Sequence, residues 1–178
     1  MSDSKSGHRR IDRIRDDSFT EGLESLPLDD VRTRRDECLA EREYVSLLRR
    51  LVQGRAEILQ AELIARGTDE DSGPLVDRLA SILAGDEPSS SSRGEAFHVG
   101  VPEEELLMAR RRVERLVSDV GISDPSVLDD ASLAAAVDTL ASEERELSDT
   151  RAYVIDVLDR LQAELMRRYK DDPSLALR

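Results

Sequence analysis

The stretch Val31–Leu59, "VRTRRDECLAEREYVSLLRRLVQGRAEIL", decides the fold. Val31, Cys38, Val45, Val52 and Leu59 recur every seven residues. A seven-residue apolar repeat keeps one line of a helix turned toward a partner helix, as in a coiled coil. Leu48, Leu51, Ile58 and Leu63 widen that line. Pro27 suits a first helical turn and Gly67 gives a stop, so the pattern predicts a helix over 28–66. At ~1.5 Å per residue it is about 60 Å long.

A second line runs through Leu133, Leu140, Leu147, Val154 and Leu161, with Arg168 next in the series and Val137, Leu158 and Leu165 beside it. It predicts a helix over 130–170. Between the two lie "GPLVDRLASILAG", a short amphipathic helix over 73–85, and "DEPSSSSRGEAFHVG", a Ser-rich linker over 86–100. Another short helix follows over 102–119, with Pro102 at its start and three acids in its first turn. The expected fold is all-α: an antiparallel coiled-coil helical hairpin with shorter accessory helices. Residues 1–18 are polar and read as a disordered tail, and 19–178 as a single helical domain. Phe19 lies outside the periodic segments, where it is either a docking residue or a cap on the core.

Aromatic residues make up only 3% of the chain, so Leu, Val, Ile and Ala must supply the core, which suits long helices packed side by side. The formal net charge of −13 repels nucleic-acid phosphate, which argues against DNA or RNA as a bulk partner. Arg9, Arg10, Arg13 and Arg15 read as part of the solvated tail. Cys38 is the one cysteine, so no internal disulfide can form, and its place on the apolar line makes it a small core residue. No apolar run approaches the ~20 residues of a membrane span, nor does the N-terminus carry a signal-peptide stretch, so a cytoplasmic protein is expected.

Two stretches carry a shared spacing. "SLLRRLVQGRAE", Ser46–Glu57, and "SDTRAYVIDVLD", Ser148–Asp159, each place Arg three residues after Ser and an acid eight residues after the Arg. On a helix, with Ser46 set at zero, Arg49 falls near −60°, Gln53 near −20° and Glu57 near +20°. The apolar line lies roughly 100° or more away, so this stripe is expected to point toward solvent or a partner. Glu144, Ser148, Arg151 and Asp159 hold the matching face of the second helix, with Ile155 in its middle. A solvated charged face accounts for such stripes too. In an antiparallel pair, however, the two stripes lie side by side about a local two-fold axis. An Arg fork can bind guanine O6 and N7, and a carboxylate can accept from guanine N1–H and N2–H. Ser and Gln can bond phosphate or base edges. A two-fold-symmetric guanine dinucleotide would satisfy both faces.

At these residues the chain resembles the RsiG family of anti-sigma factors from filamentous actinobacteria. That family carries two copies of Glu-x3-Ser-x2-Arg-x3-Gln-x3-Asp, one on each helix of an antiparallel hairpin. One copy here keeps Ser46, Arg49 and Gln53, with Arg42 for the first acid and Glu57 for Asp. The other keeps Glu144, Ser148, Arg151 and Asp159, with Ile155 for Gln. The resemblance spans about residues 28–170. It implies cyclic di-GMP as ligand, bound by these ten residues, and a WhiG-type sigma factor as the partner sequestered when the nucleotide is bound, delaying sporulation. Ile155 could pack on a base face and Arg42 could meet a phosphate.

Other classes fit less well. His8 and His98 fall in the tail and linker, with no His–carboxylate or Cys–His site, so no enzyme is expected. One Cys and two distant His residues cannot build a zinc site, and no Gly-rich phosphate loop is present. The remaining rival is a coiled-coil adaptor that binds a protein partner with no ligand.

Overall fold

The computed structural model describes residues 10–67, 101–119 and 125–177. Four α-helices lie among them: α1 Arg10–Ile14, α2 Leu28–Gly67, α3 Glu103–Asp119 and α4 Asp130–Asp171. Short 3-10 turns at Asp17–Phe19, Leu23–Ser25, Pro125–Val127 and Pro173–Leu177 join or flank them. The fold is all-α, with no strand among the described residues. The expected helix over 73–85, the linker over 86–100 and tail residues 1–9 lie outside the described residues.

Both apolar lines are buried. Val31, Cys38, Val45, Val52 and Leu59 are all at most 3% exposed, and Leu133, Leu140, Leu147, Val154 and Leu161 at most 4%. The α4 line begins where the sequence can start a helix: Ser132 N–H donates to the Asp129 carboxylate at 2.7 Å, capping the first turn.

Two compact units are distinguished along the chain, Met1–Ser46 with Leu147–Arg178 and Leu47–Glu146. Each long helix contributes to both.

In the first unit the two helices run antiparallel: Arg32 Nε donates to the Tyr169 hydroxyl at 3.0 Å and Arg151 Nε to Ser46 Oγ at 3.1 Å. Its core gathers Ile14, Phe19, Val31, Cys38, Val154, Val157, Leu158, Leu161 and Leu165. The Cys38 thiol is pushed up to about 12, chiefly by burial and then by Glu37 and Glu41, so it stays protonated as a small apolar residue.

The tail expectation for residues 10–18 needs correcting. Arg10–Ile14 form a helical turn whose Ile14 is fully buried, and Phe19 is a buried cap on the core. Five residues are too few to hold a helix by propensity, so packing holds this one. Arg13 pairs with Glu37 at 3.1 Å, and Tyr153 Oη donates to the Ile14 carbonyl at 3.3 Å.

The segment that follows is held by arginine forks on its backbone. Arg34 Nη1 donates to the Phe19 carbonyl at 2.6 Å, with its guanidinium 5.4 Å from the Phe19 ring centroid. Arg168 sits at the seam position after Leu161. Its Nη groups donate to the carbonyls of Leu26 and Leu23 at 2.8 and 2.6 Å, and its Nε to Glu164 at 2.6 Å. A cation can occupy the seam there because Glu164, itself buried, neutralises it.

In the second unit α2 and α4 are again antiparallel, through Arg49–Glu144 at 2.6 Å and Arg66–Asp130 at 3.1 Å. Arg66, at the end of α2, also donates to the carbonyls of Leu128 at 2.5 Å and Pro125 at 2.8 Å. Helix α3 buries Ala109 and Val113 and is tied to α4 by Arg112–Glu143 at 2.8 Å.

Glu164 is held well below its ordinary 4.5, at about 2, first by the Arg167 hydrogen bond and then by Arg168 against the cost of burial. A depressed carboxylate stabilises the folded state above its unfolded value and loses that contribution as it protonates. Thermal melts are therefore expected to fall as pH drops from about 4.5 toward 2, and Glu164→Gln to flatten that dependence. Gly54 lies mid-helix in α2 with open space where a Cβ would stand. Gly54→Ala is expected to raise stability by roughly 0.5–1 kcal/mol in denaturant titration.

Candidate functional site

The ten motif residues fall on α2 and α4, five on each. The seam places them. Counting Cys38 and Val45 as one seam position and Leu140 and Leu147 as its counterpart, Arg42, Arg49, Glu144 and Arg151 each stand four residues after a seam residue. That position flanks a coiled-coil interface and is where interhelical polar pairs form.

In the first unit, Arg151 of α4 reaches Ser46 of α2. Its Nε donates to Ser46 Oγ at 3.1 Å, while the same hydroxyl donates to the Arg42 carbonyl at 2.6 Å, one turn back along α2. Ser46 is thus an acceptor for the arginine of the opposite helix and a donor to its own. Arg42 does not face an empty pocket: its Nε and Nη2 donate to Glu43 Oε1 at 3.2 and 2.6 Å. Ser148 and Ile155 are half-buried and Asp159 is exposed.

In the second unit, Arg49 of α2 reaches Glu144 of α4, Nε to Oε1 at 2.6 Å. The pair is partly exposed, 38% for the Arg side chain and 27% for the Glu. In that setting an ion pair contributes at most about 1 kcal/mol to folding, so it orients the arginine more than it stabilises the chain. Gln53 and Glu57 are exposed on the same helix.

The stripes therefore differ from a face turned wholly to solvent. Gln53, Glu57 and Asp159 are exposed, but Arg42, Ser46, Arg49, Glu144, Ser148, Arg151 and Ile155 are half-buried. A helical wheel treats side chains as radial spokes. Arginine has a long stem that lies along neighbouring apolar surface while its head finds an acceptor, here on the other helix.

The two copies also differ in a way the sequence explains. In the second unit the arginine pairs with the acid that begins the opposite motif. In the first, the residue beginning the opposite motif is Arg42, which has no side-chain acceptor. Arg151 takes Ser46 instead.

Each guanidinium is engaged at Nε. Neither makes a hydrogen bond through Nη1 or Nη2 among the described residues, and Glu57 and Asp159 form no ion pair there. The chemistry on offer is therefore two oriented arginines presenting their Nη edges, with exposed carboxylates on the same helices. No group of His, Cys, Asp and Glu able to hold a metal occurs among the described residues. Nor is any helix there long and apolar enough to cross a membrane.

No match is found among curated proteins. A family model does match. It covers the N-terminal segment, all of α2 and hence the first motif copy, while the second copy lies beyond it. Residues 17–83 match the family model described as RsiG-like.

Proposed function

We propose that this chain is an anti-sigma factor that binds cyclic di-GMP through its two motif copies and, when loaded, sequesters a WhiG-type sigma factor in the cytoplasm, repressing a sporulation programme. The RsiG-like match over residues 17–83 supports the general part of this reading: a regulator rather than an enzyme, with a sigma factor as partner. The observation that carries the nucleotide is the repeated pairing, in which Arg49 and Arg151 each donate through Nε to a motif residue of the opposite helix.

An arginine already held at Nε loses little freedom on meeting a ligand, which lowers the cost of binding. Its Nη edge fits guanine O6 and N7 or a phosphate oxygen. Glu57 and Asp159, being exposed, can accept from guanine N1–H and N2–H. Each motif copy thus supplies chemistry for one guanine and one phosphate, and cyclic di-GMP has two of each. Gln53 and Ser148 add polar contacts, and half-buried Ile155 offers an apolar one. Arg42, paired with Glu43, contributes charge near Ser46. Arginine is needed locally because a chain of net charge −13 repels an anion.

Calorimetric titration of the full chain with cyclic di-GMP tests the site. Arg49→Ala and Arg151→Ala are each expected to weaken binding roughly tenfold or more, on the scale of ~1–3 kcal/mol per bidentate base contact. Circular dichroism should remain that of the parent, since neither is a seam residue. Parent-like affinity in both variants would remove these arginines from the site. Absence of binding by the parent would favour a ligand-independent coiled-coil adaptor.

The gate has its own test. A ligand raises partner affinity only if it binds the complex better than the free protein, and the coupling is reciprocal. Saturating cyclic di-GMP is expected to tighten sigma-factor binding by the same factor as sigma factor tightens nucleotide binding. Equal sigma affinities with and without nucleotide would defeat the gate.

A further inference from the structure

Helix α3 carries an exposed face that lies apart from the motif stripes. Its inward side is Ala109 and Val113, both buried. Its outward side runs through Glu104, Leu107, Met108, Arg111 and Arg115. Leu107 is 46% and Met108 54% exposed, two large apolar side chains adjacent on a 17-residue helix. Glu104, Arg110 and Arg111 form no side-chain hydrogen bond or ion pair among the described residues, whereas Arg112, on the inward flank, is tied to Glu143.

The order along this face is acid, apolar pair, base. Turned end for end, it complements itself. We propose that α3 pairs antiparallel with α3 of a second copy of this chain, about a two-fold axis between Leu107 and Met108. Glu104 then faces the second copy's Arg111, and Arg111 the second copy's Glu104. Leu107 and Met108 pack across the axis. Two-fold contacts are isologous, so each charge pair occurs twice and no complementary charge is left over at the centre. A parallel pairing would set Glu104 on Glu104 and Arg111 on Arg111, so the charge pattern selects the antiparallel one.

Only about ten residues of each helix overlap in this register, roughly 15 Å of helix. Such a contact is smaller than a standard stable interface, so the association is weak and concentration-dependent. Exposed ion pairs at its rim make it weaker in salt.

Sedimentation equilibrium of the full chain, from micromolar to millimolar, tests the proposal. The parent is expected to pass from monomer to dimer over that range and to return toward monomer as salt is raised. Glu104→Arg alone and Arg111→Glu alone each set like charges face to face in both pairs, and each is expected to stay monomeric. Mixed together, the two single variants restore an acid-to-base match in both pairs and should form a mixed dimer. The double variant E104R/R111E should dimerise as the parent does. Circular dichroism on each variant checks that the helix persists. A parent that remains monomeric throughout, single variants that dimerise like the parent, or a mixture that fails to associate would each overturn the pairing.

Discussion

Burial of small aliphatic side chains along two seven-residue lines is the interaction on which the other features rest. Val, Cys and Leu at the seam positions of α2 fill little volume and let a partner helix approach closely. Close approach brings the flanking positions within reach of the opposite helix. Arg49 can then touch Glu144, and Arg151 can touch Ser46. Bulky aromatics along the seam would push the helices apart and leave the same arginines reaching into water. The polar pairs are therefore a product of the core's composition as much as of their own residue types.

With so few aromatics, arginine takes over part of their structural work. Arg32 and Arg34 lie over Tyr169 and Phe19, with guanidinium-to-ring distances of 5.7 and 5.4 Å. Arg32 also donates to the Leu175 carbonyl at 2.6 Å. Arg168 and Arg66 satisfy pairs of carbonyls in irregular segments that have no ladder or helix to bond with. A guanidinium carries five donors in a rigid plane, so one side chain can serve two carbonyls and an acid together.

The long helices were legible because their signal is long. Five seam residues at one spacing leave little room for another period, and Pro27 and Gly67 mark the ends. Helix α1 was not legible, since Ile11 and Ile14 among charges give no period to count. Ile14 is buried in a core that α2 and α4 share, and Tyr153 of α4, far away in sequence, bonds its carbonyl. The residues of the two stripes were named from spacing and, for Arg42, from the family resemblance, but neither gives their pairing. Arg49 meets Glu144 because of the register between helices, and register is a property of two segments together. Arg168 shows the same limit. In sequence it breaks an apolar line, and only the carbonyls of Leu23 and Leu26 explain its presence there.

The grip of Arg168 and Arg34 on main-chain oxygens separates the course of the 18–26 segment from its spelling. A carbonyl is the same whichever side chain stands beside it. A substitution at Ser18 leaves its gripped carbonyl in place, whereas Phe19, Leu23 and Leu26 also pack their side chains on the core. Gly22 is constrained by its backbone instead, with φ at 63° in the left-handed region and Ser25 Oγ 3.3 Å from where a Cβ would stand. The carbonyl grip thus adds to side-chain packing in fixing the path of this segment, and leaves its outward positions, such as Ser18, free to vary.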